Sequence, residues 1–353
     1  MAQVPIWLVI THFLNIPFMT LLARSGLEVL SAFPKLYLRD DCMPGGELVR
    51  FTKKRSAPAA HPTWSSLEEE EAWPRTIALP GRKSLGLGRH WHFLTVEFWI
   101  LTGVVYVALL FASGQWRRLV PTDWAIVPQA LRDIATYLSG RLPAAQPGLP
   151  YNAAQQLAYF AVVFVLAPLQ ILTGAAMSPA LIGRFPRYAR VFGGRQAART
   201  LHFAGLCAFA AFVVVHTAMV IIHGLGGELA RIALGTERAN HALALAVGGA
   251  ALLAVALVNA LATVVSVRRP RATQRTIGAL VDPWERQLVE RTSSRQRYGP
   301  EQISPFFRVN GHPPPDGDYR RLAAAGFPRT AFACTASSSV RSRSRSPSCG
   351  RSG

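Results

Sequence analysis

Five apolar runs, each about as long as a bilayer is thick, constrain this chain more than any motif in it. They cover roughly residues 4–23, 91–112, 153–177, 200–223 and 242–267. Crossing ~30 Å of hydrocarbon takes about 20 helical residues, and every run reaches that length. A backbone in lipid must satisfy its own hydrogen bonds, which only helices and closed barrels do. The runs lack the two-residue alternation of barrel strands, so the expected fold is all-α, a polytopic membrane bundle of about five transmembrane helices. Half of the 353 residues are apolar, yet the net charge is +19. Apolar spans in membrane lipid, joined by basic loops, account for both.

The first run starts close to Met1 with no small-residue cleavage site after Leu21 and Leu22, so it reads as a retained span and not as a signal peptide. Cys42, Cys207, Cys334 and Cys349 form no C-x-x-C pair and no C-x-x-C-H site. Iron–sulfur clusters, zinc ribbons and covalently attached haem are therefore not expected. Let X be the face where the chain starts and Y the opposite one. The first loop, the third loop and the segment after the fifth run then share face Y. They carry Lys53, Lys54, Arg55, the arginines at 184, 187, 190, 195 and 199, and Arg268, Arg269, Arg271 and Arg275. By the positive-inside tendency Y is expected to be cytoplasmic and the N-terminus outside.

The acidic run Glu68–Glu71 reads as part of a solvated loop of mixed charge. From about residue 268 the apolar periodicity stops. The expected division is a membrane domain over 1–267, a linker and further segment over 268–327, and a disordered Arg/Ser-rich tail over 328–353. No nucleic-acid binding is expected of that tail, because its arginines alternate with serines and not with aromatic residues.

Four histidines lie inside the runs at matching depths. A helix begun near Pro5 places His12 about 10 Å below X, and His216, seven residues before His223 at the end of its run, lies about 10 Å below the same face. His92 and His202 each fall at about the second or third residue of a run entered from Y. Depth alone therefore pairs His12 with His216 and His92 with His202. The 14-residue step from His202 to His216 climbs about 21 Å and returns to within about 40° of one helix face. Imidazole is costly within a bilayer and usually functional there. Neutral imidazole is also a common haem-iron ligand, so the two pairs point to two haems, each held by two histidines. Such ligation leaves no open iron position for substrate and suits electron transfer.

Gly205, one turn after His202, is a place where a missing side chain lets a flat porphyrin approach; close helix packing, as at Gly174, explains it equally well. Glu97 points about 140° away from His92, toward an interfacial arginine or a proton path. His223 at face X reads as a polar interface residue or part of a quinone or proton site. Gly86 and Gly88 form a G-x-G without the strand or GK[ST] that phosphate binding needs.

At ITHFLN, LGLGRHWHFL, FGGRQAARTLHF and VVVHTAMVIIHG the chain resembles the bacterial cytochrome b561 family, including the di-haem b subunits of hydrogenase and thiosulfate-reductase type. The resemblance covers roughly residues 5–240. It implies a four-helix di-haem core plus one further helix, with two b haems ligated by His12, His92, His202 and His216. Residues 303–327, ISPFFRVNGHPPPDGDYRRLAAAGF, are similar to the lead-in of sulfite-oxidase-type molybdopterin domains that some members carry behind the membrane part. That similarity stops near Gly326 and Phe327, and no molybdenum-binding core follows. The resulting expectation is an electron-transfer subunit of a bacterial cytoplasmic membrane. It would pass electrons between a partner redox protein, a molybdopterin-dependent oxidoreductase, and a quinone pool. The rival reading is a haem-free transporter whose intramembrane histidines and Glu97 relay protons or bind a metal ion.

Overall fold

The computed structural model describes residues 4–54, 66–149, 151–236 and 240–292, with Gly317, Arg321, Ala324 and Ala325 beyond them. In chain order it contains α1 (Ile6–Ala32), an antiparallel pair β1 (Lys35–Leu36) and β2 (Val49–Arg50), α2 (Ser66–Glu69), α3 (Leu85–Ala112), α4 (Trp116–Leu119) and α5 (Ile126–Leu138). Next come α6 (Ala153–Phe160), a π-helical stretch (Ala161–Leu166) and α7 (Ala167–Ala176), which together make one span. The short α8 (Pro179–Arg184) and α9 (Pro186–Arg190) lead to α10 (Arg195–Ile222), α11 (Leu225–Leu234), α12 (His241–Arg268) and α13 (Pro270–Thr292). By length and composition α1, α3, α6–α7, α10 and α12 can each cross a membrane. The all-α polytopic bundle expected from the apolar runs is the architecture found.

The chain divides into two units, Met1–Asn310 and Gly311–Gly353. In the second unit the described residues show one turn, in which the Ala325 N–H donates to the Arg321 carbonyl. Most of the segment resembling a molybdopterin lead-in, and the whole Arg/Ser tail, lie outside the described residues.

Three helices begin or end beyond the apolar runs that mark them. α1 continues past residue 23 to Ala32 because Ser25, Glu28 and Ser31, which interrupt the apolar pattern, all face inward and are buried. α3 starts at Leu85, six residues before the run at 91, and α10 at Arg195, five before the run at 200. His92 and His202 thus sit seven residues into their helices, not two or three, about two turns from the start. The depth match survives, since both moved by a similar amount.

Both of these helices are capped by a carboxylate borrowed from elsewhere. The Ser84 and Gly81 N–H groups donate to the buried Glu28 carboxylate. Gly81, Arg82 and Lys83 all have positive φ, a turn of the kind whose N–H groups make a concave anion seat. A Cβ on Gly88 would lie 2.6 Å from Glu28 Cγ, so only glycine lets α1 and α3 approach this closely. At α10 the Arg195 and Gln196 N–H groups donate to Asp40 Oδ2 and Oδ1 at 3.2 and 2.7 Å. Because Gly194 at the cap position has no side chain to do this, Asp40→Ala should cost about 1 kcal/mol. A lowered thermal midpoint in detergent, only partly recovered by Asp40→Asn, which keeps one of the two acceptor oxygens, is the expected result.

The fifth span is tied on by polar contacts near the ends of the apolar runs. Arg24 donates to Asn259 Oδ1 at 2.9 Å and to Thr263 Oγ1 at 2.8 Å, Asn259 donates to Thr20 Oγ1 at 2.9 Å, and Trp91 Nε1 donates to Ser266 Oγ at 2.7 Å. Such hydrogen bonds substitute for the hydrophobic drive that lipid removes. α12 therefore lies against α1, outside the four other spans.

Two expectations change. The sequence pattern places the end of ordered apolar packing near 267, yet α13 follows and buries Ile277 and Val281 against Leu87. Two apolar positions four residues apart form a stripe too narrow to stand out among charged neighbours. The acidic run at 68–71 is not a solvated mixed-charge loop either. Glu69 is fully buried against Lys35, 3.2 Å away, and Glu71 accepts from the Thr52 hydroxyl.

Candidate functional site

The four spans α1, α3, α6–α7 and α10 form two closely packed halves. α1 runs along α3, and α7 along α10, whereas among the described residues no span of one half packs closely along a span of the other. Side chains bridge the space between. The rings of His12 and His216 face each other with centroids 6.3 Å apart and planes at 66°. Those of His92 and His202 do the same at 6.4 Å and 68°. In each pair one ring comes from each half. A metal ion about 2 Å from one nitrogen of each of two opposed imidazoles puts the ring centres about 6 Å apart. Both pairs match that spacing.

The Y pair is held by hydroxyls. Ser25 Oγ donates to the Leu22 carbonyl at 3.2 Å and lies 3.1 Å from His92 Nδ1. Thr173 Oγ1 donates to the Leu169 carbonyl at 2.7 Å and lies 3.0 Å from His202 Nδ1. Glycines follow both hydroxyl residues. A Cβ on Gly26 would lie 3.5 Å from His92 Cε1, and one on Gly174 3.4 Å from His202 Cε1. The X pair is surrounded by rings instead. Phe212 stacks on His216 at 5.5 Å and 10°, Tyr159 meets His216 edge-on at 6.0 Å, and Phe13 meets His12 edge-on at 5.8 Å. Midway between the pairs, Trp99 and Phe209 make an edge contact at 6.2 Å. Each lies seven residues along its helix from the Y-side histidine, so an aromatic bridge spans the halves where no histidine does.

Gly205 is buried, but it opens onto Gln170: a Cβ there would sit 2.9 Å from Gln170 Cδ. It is a close-packing position between α7 and α10, and the glycine beside His202 is Gly174. Glu97 is half-buried on α3. His223 closes a hydrogen-bond chain at face X. Asn152 donates to the Tyr137 hydroxyl at 2.6 Å, that hydroxyl lies 3.4 Å from His223 Nε2, and His223 Nδ1 faces the Met219 carbonyl at 2.8 Å. Burial pushes the Tyr137 phenol above its usual range, so it stays protonated.

Sequence reasoning passed over Ser25, Thr173, Tyr159 and Glu28. The signal available was a hydroxyl–glycine doublet, Ser25–Gly26 and Thr173–Gly174, recurring in two apolar runs.

A helical bundle that opposes two histidine pairs across a gap, with its outer surface apolar, defines a class of membrane electron carrier. The family model for prokaryotic cytochrome b561 matches residues 3–235, and the chain belongs to that family. It is a multi-pass membrane subunit for electron transfer with haem b. A protein of Azospira oryzae, named as protein-methionine-sulfoxide reductase subunit YedZ1, is 32% identical over 151 residues, covering 42% of this chain and 71% of that one. No solved structure gives a significant match.

Proposed function

We propose that this chain carries electrons between a molybdopterin-dependent oxidoreductase docked on face Y and a quinone pool reached nearer X. Two b haems serve, one held by His12 and His216 and the other by His92 and His202. The observation that carries this reading is the pair of opposed histidine couples, at 6.3 and 6.4 Å, near opposite ends of one bundle. Bound there, haem supplies reversible one-electron chemistry.

The protein's own side chains supply the rest. The histidines hold iron from both halves, so each haem also ties the halves together. Apolar faces on the spans, such as Leu101, Val104, Leu252 and Leu261, face lipid and keep water from the sites. The Lys- and Arg-rich loops and tail on Y suit a partner surface there, and by the positive-inside tendency Y is the cytoplasmic face of a bacterial inner membrane. The relative's name assigns it to a reductase as a subunit, and the segment at 303–327 resembles a molybdopterin lead-in. Both support a partner oxidoreductase. Family membership disfavours the haem-free transporter.

Pyridine haemochrome analysis of the purified chain should give about two non-covalent haems per polypeptide. In proteoliposomes a quinol should reduce them. A folded preparation with no Soret band would overturn the reading, and two haems inert to quinol would remove the quinone from it.

A further inference from the structure

We infer that Ser25 and Thr173 are positioning residues for the haem between His92 and His202, fixing Nδ1 as the protonated nitrogen of both ligands and setting how strongly each imidazole donates to iron. The inference rests on the ligand assignment proposed above.

A hydroxyl has one proton. In Ser25 it is directed to the Leu22 carbonyl and in Thr173 to the Leu169 carbonyl. Toward Nδ1 of His92 and His202, at 3.1 and 3.0 Å, each oxygen can then only accept. Each ring also hydrogen-bonds a backbone carbonyl, Leu22's for His92 and Gln170's for His202, and with Nε2 on iron Nδ1 carries the proton that hydroxyl and carbonyl share. The glycine that follows each hydroxyl lies against the ring edge, where a Cβ would be in van der Waals contact with Cε1. Both rings are thus fixed on two sides by a hydroxyl–glycine doublet, and each doublet belongs to the helix packed beside the ligand's own: α1 for His92 on α3, α7 for His202 on α10. Two separate helices repeating one arrangement argue for a shared role.

The X pair lacks it. Among the described residues, the rings of His12 and His216 meet Phe13, Tyr159 and Phe212, and no hydroxyl hydrogen bond fixes either ring. A ligating histidine that donates its other N–H to an acceptor becomes a stronger base, which favours ferric over ferrous iron. Removing the hydroxyl leaves each ring only its backbone carbonyl, which should raise the potential of the Y-side haem and leave the X-side haem alone.

Thr173→Val keeps the side chain's shape and deletes only the hydroxyl; Ser25→Ala does the same job on α1. Anaerobic redox titration and low-temperature EPR of the purified full chain provide the readout, with the Y-side haem identified as the one lost in His92→Ala. In the double variant both haems are retained. At fixed ambient potential the reduced-to-oxidised ratio of the Y-side haem rises roughly two- to tenfold for each hydroxyl removed, the range for one modest hydrogen bond. Its low-spin EPR signal shifts, and the other haem keeps its potential. Ser25→Thr and Thr173→Ser retain the native values. A double variant with both haems and an unmoved Y-side potential overturns the inference and leaves the ligand assignment standing. Equal shifts at both haems overturn it too, since a general loosening would produce them. If His92→Ala keeps both haems, the ligand assignment itself is wrong and the inference falls with it.

Discussion

Alanine at His92 or His202 should remove one haem and leave the other, and alanine at His12 or His216 should remove the complementary one. Each iron would lose one of two axial ligands, and the two pairs stand about 21 Å apart along α10, too far for a ligand of one to serve the other. The Soret amplitude should fall by about half in every single variant. Redox titration then separates the classes, because variants of one pair leave the same residual haem with the same potential. A His12→Ala spectrum identical to that of His202→Ala would show that the pairs are crossed. His12→Ala combined with His216→Ala should look like either single variant, whereas His12→Ala combined with His92→Ala should abolish haem altogether. The contrast tests pairing without any assumption about potentials.

The pairs were legible in the sequence because two quantities that set them, residue count and helical rise, do not depend on packing. Helix α10 alone fixes the separation of the sites, and the depths of His12 and His92 in other runs pick their partners. The helix ends were less legible. Hydropathy reports where side chains are apolar, so a polar face buried against protein, such as Ser25, Glu28 and Ser31 on α1, looks like the end of a span. The same limit hid the hydroxyl clamps, since serine and threonine in a membrane helix can equally bond their own backbone. Gly205 and Gly174 show a different limit. Both are glycines in helical runs near His202 by sequence or by space, and only the packing of α7 on α10 decides which faces the ring. Long-range capping was invisible as well: Glu28 lies 56 residues from Ser84, and Asp40 155 from Arg195.

Lys35 and Glu69 pose the same difficulty with a larger energetic consequence. The acidic stretch that holds Glu69 reads as a solvated loop, yet the Glu69 and Lys35 side chains have no exposure and meet at 3.2 Å. The segment around Lys35 also wraps the start of α10. Arg199 donates to the Phe33 and Lys35 carbonyls, and Thr200 donates to the Tyr37 carbonyl at 2.7 Å. The helix bearing His202 is thereby joined to the end of α1. Lys35→Met removes the cation that meets this fully buried carboxylate at 3.2 Å and should destabilise by about 3–5 kcal/mol. The double change Lys35→Met with Glu69→Leu removes both charges, and desolvation no longer opposes burial, so most of that loss should return. Thermal denaturation in detergent, followed through haem absorbance, measures both. A single variant costing under about 1 kcal/mol would mean that the pair is effectively solvated, and the loop between α1 and α3 would then be the mixed-charge surface that its sequence suggests.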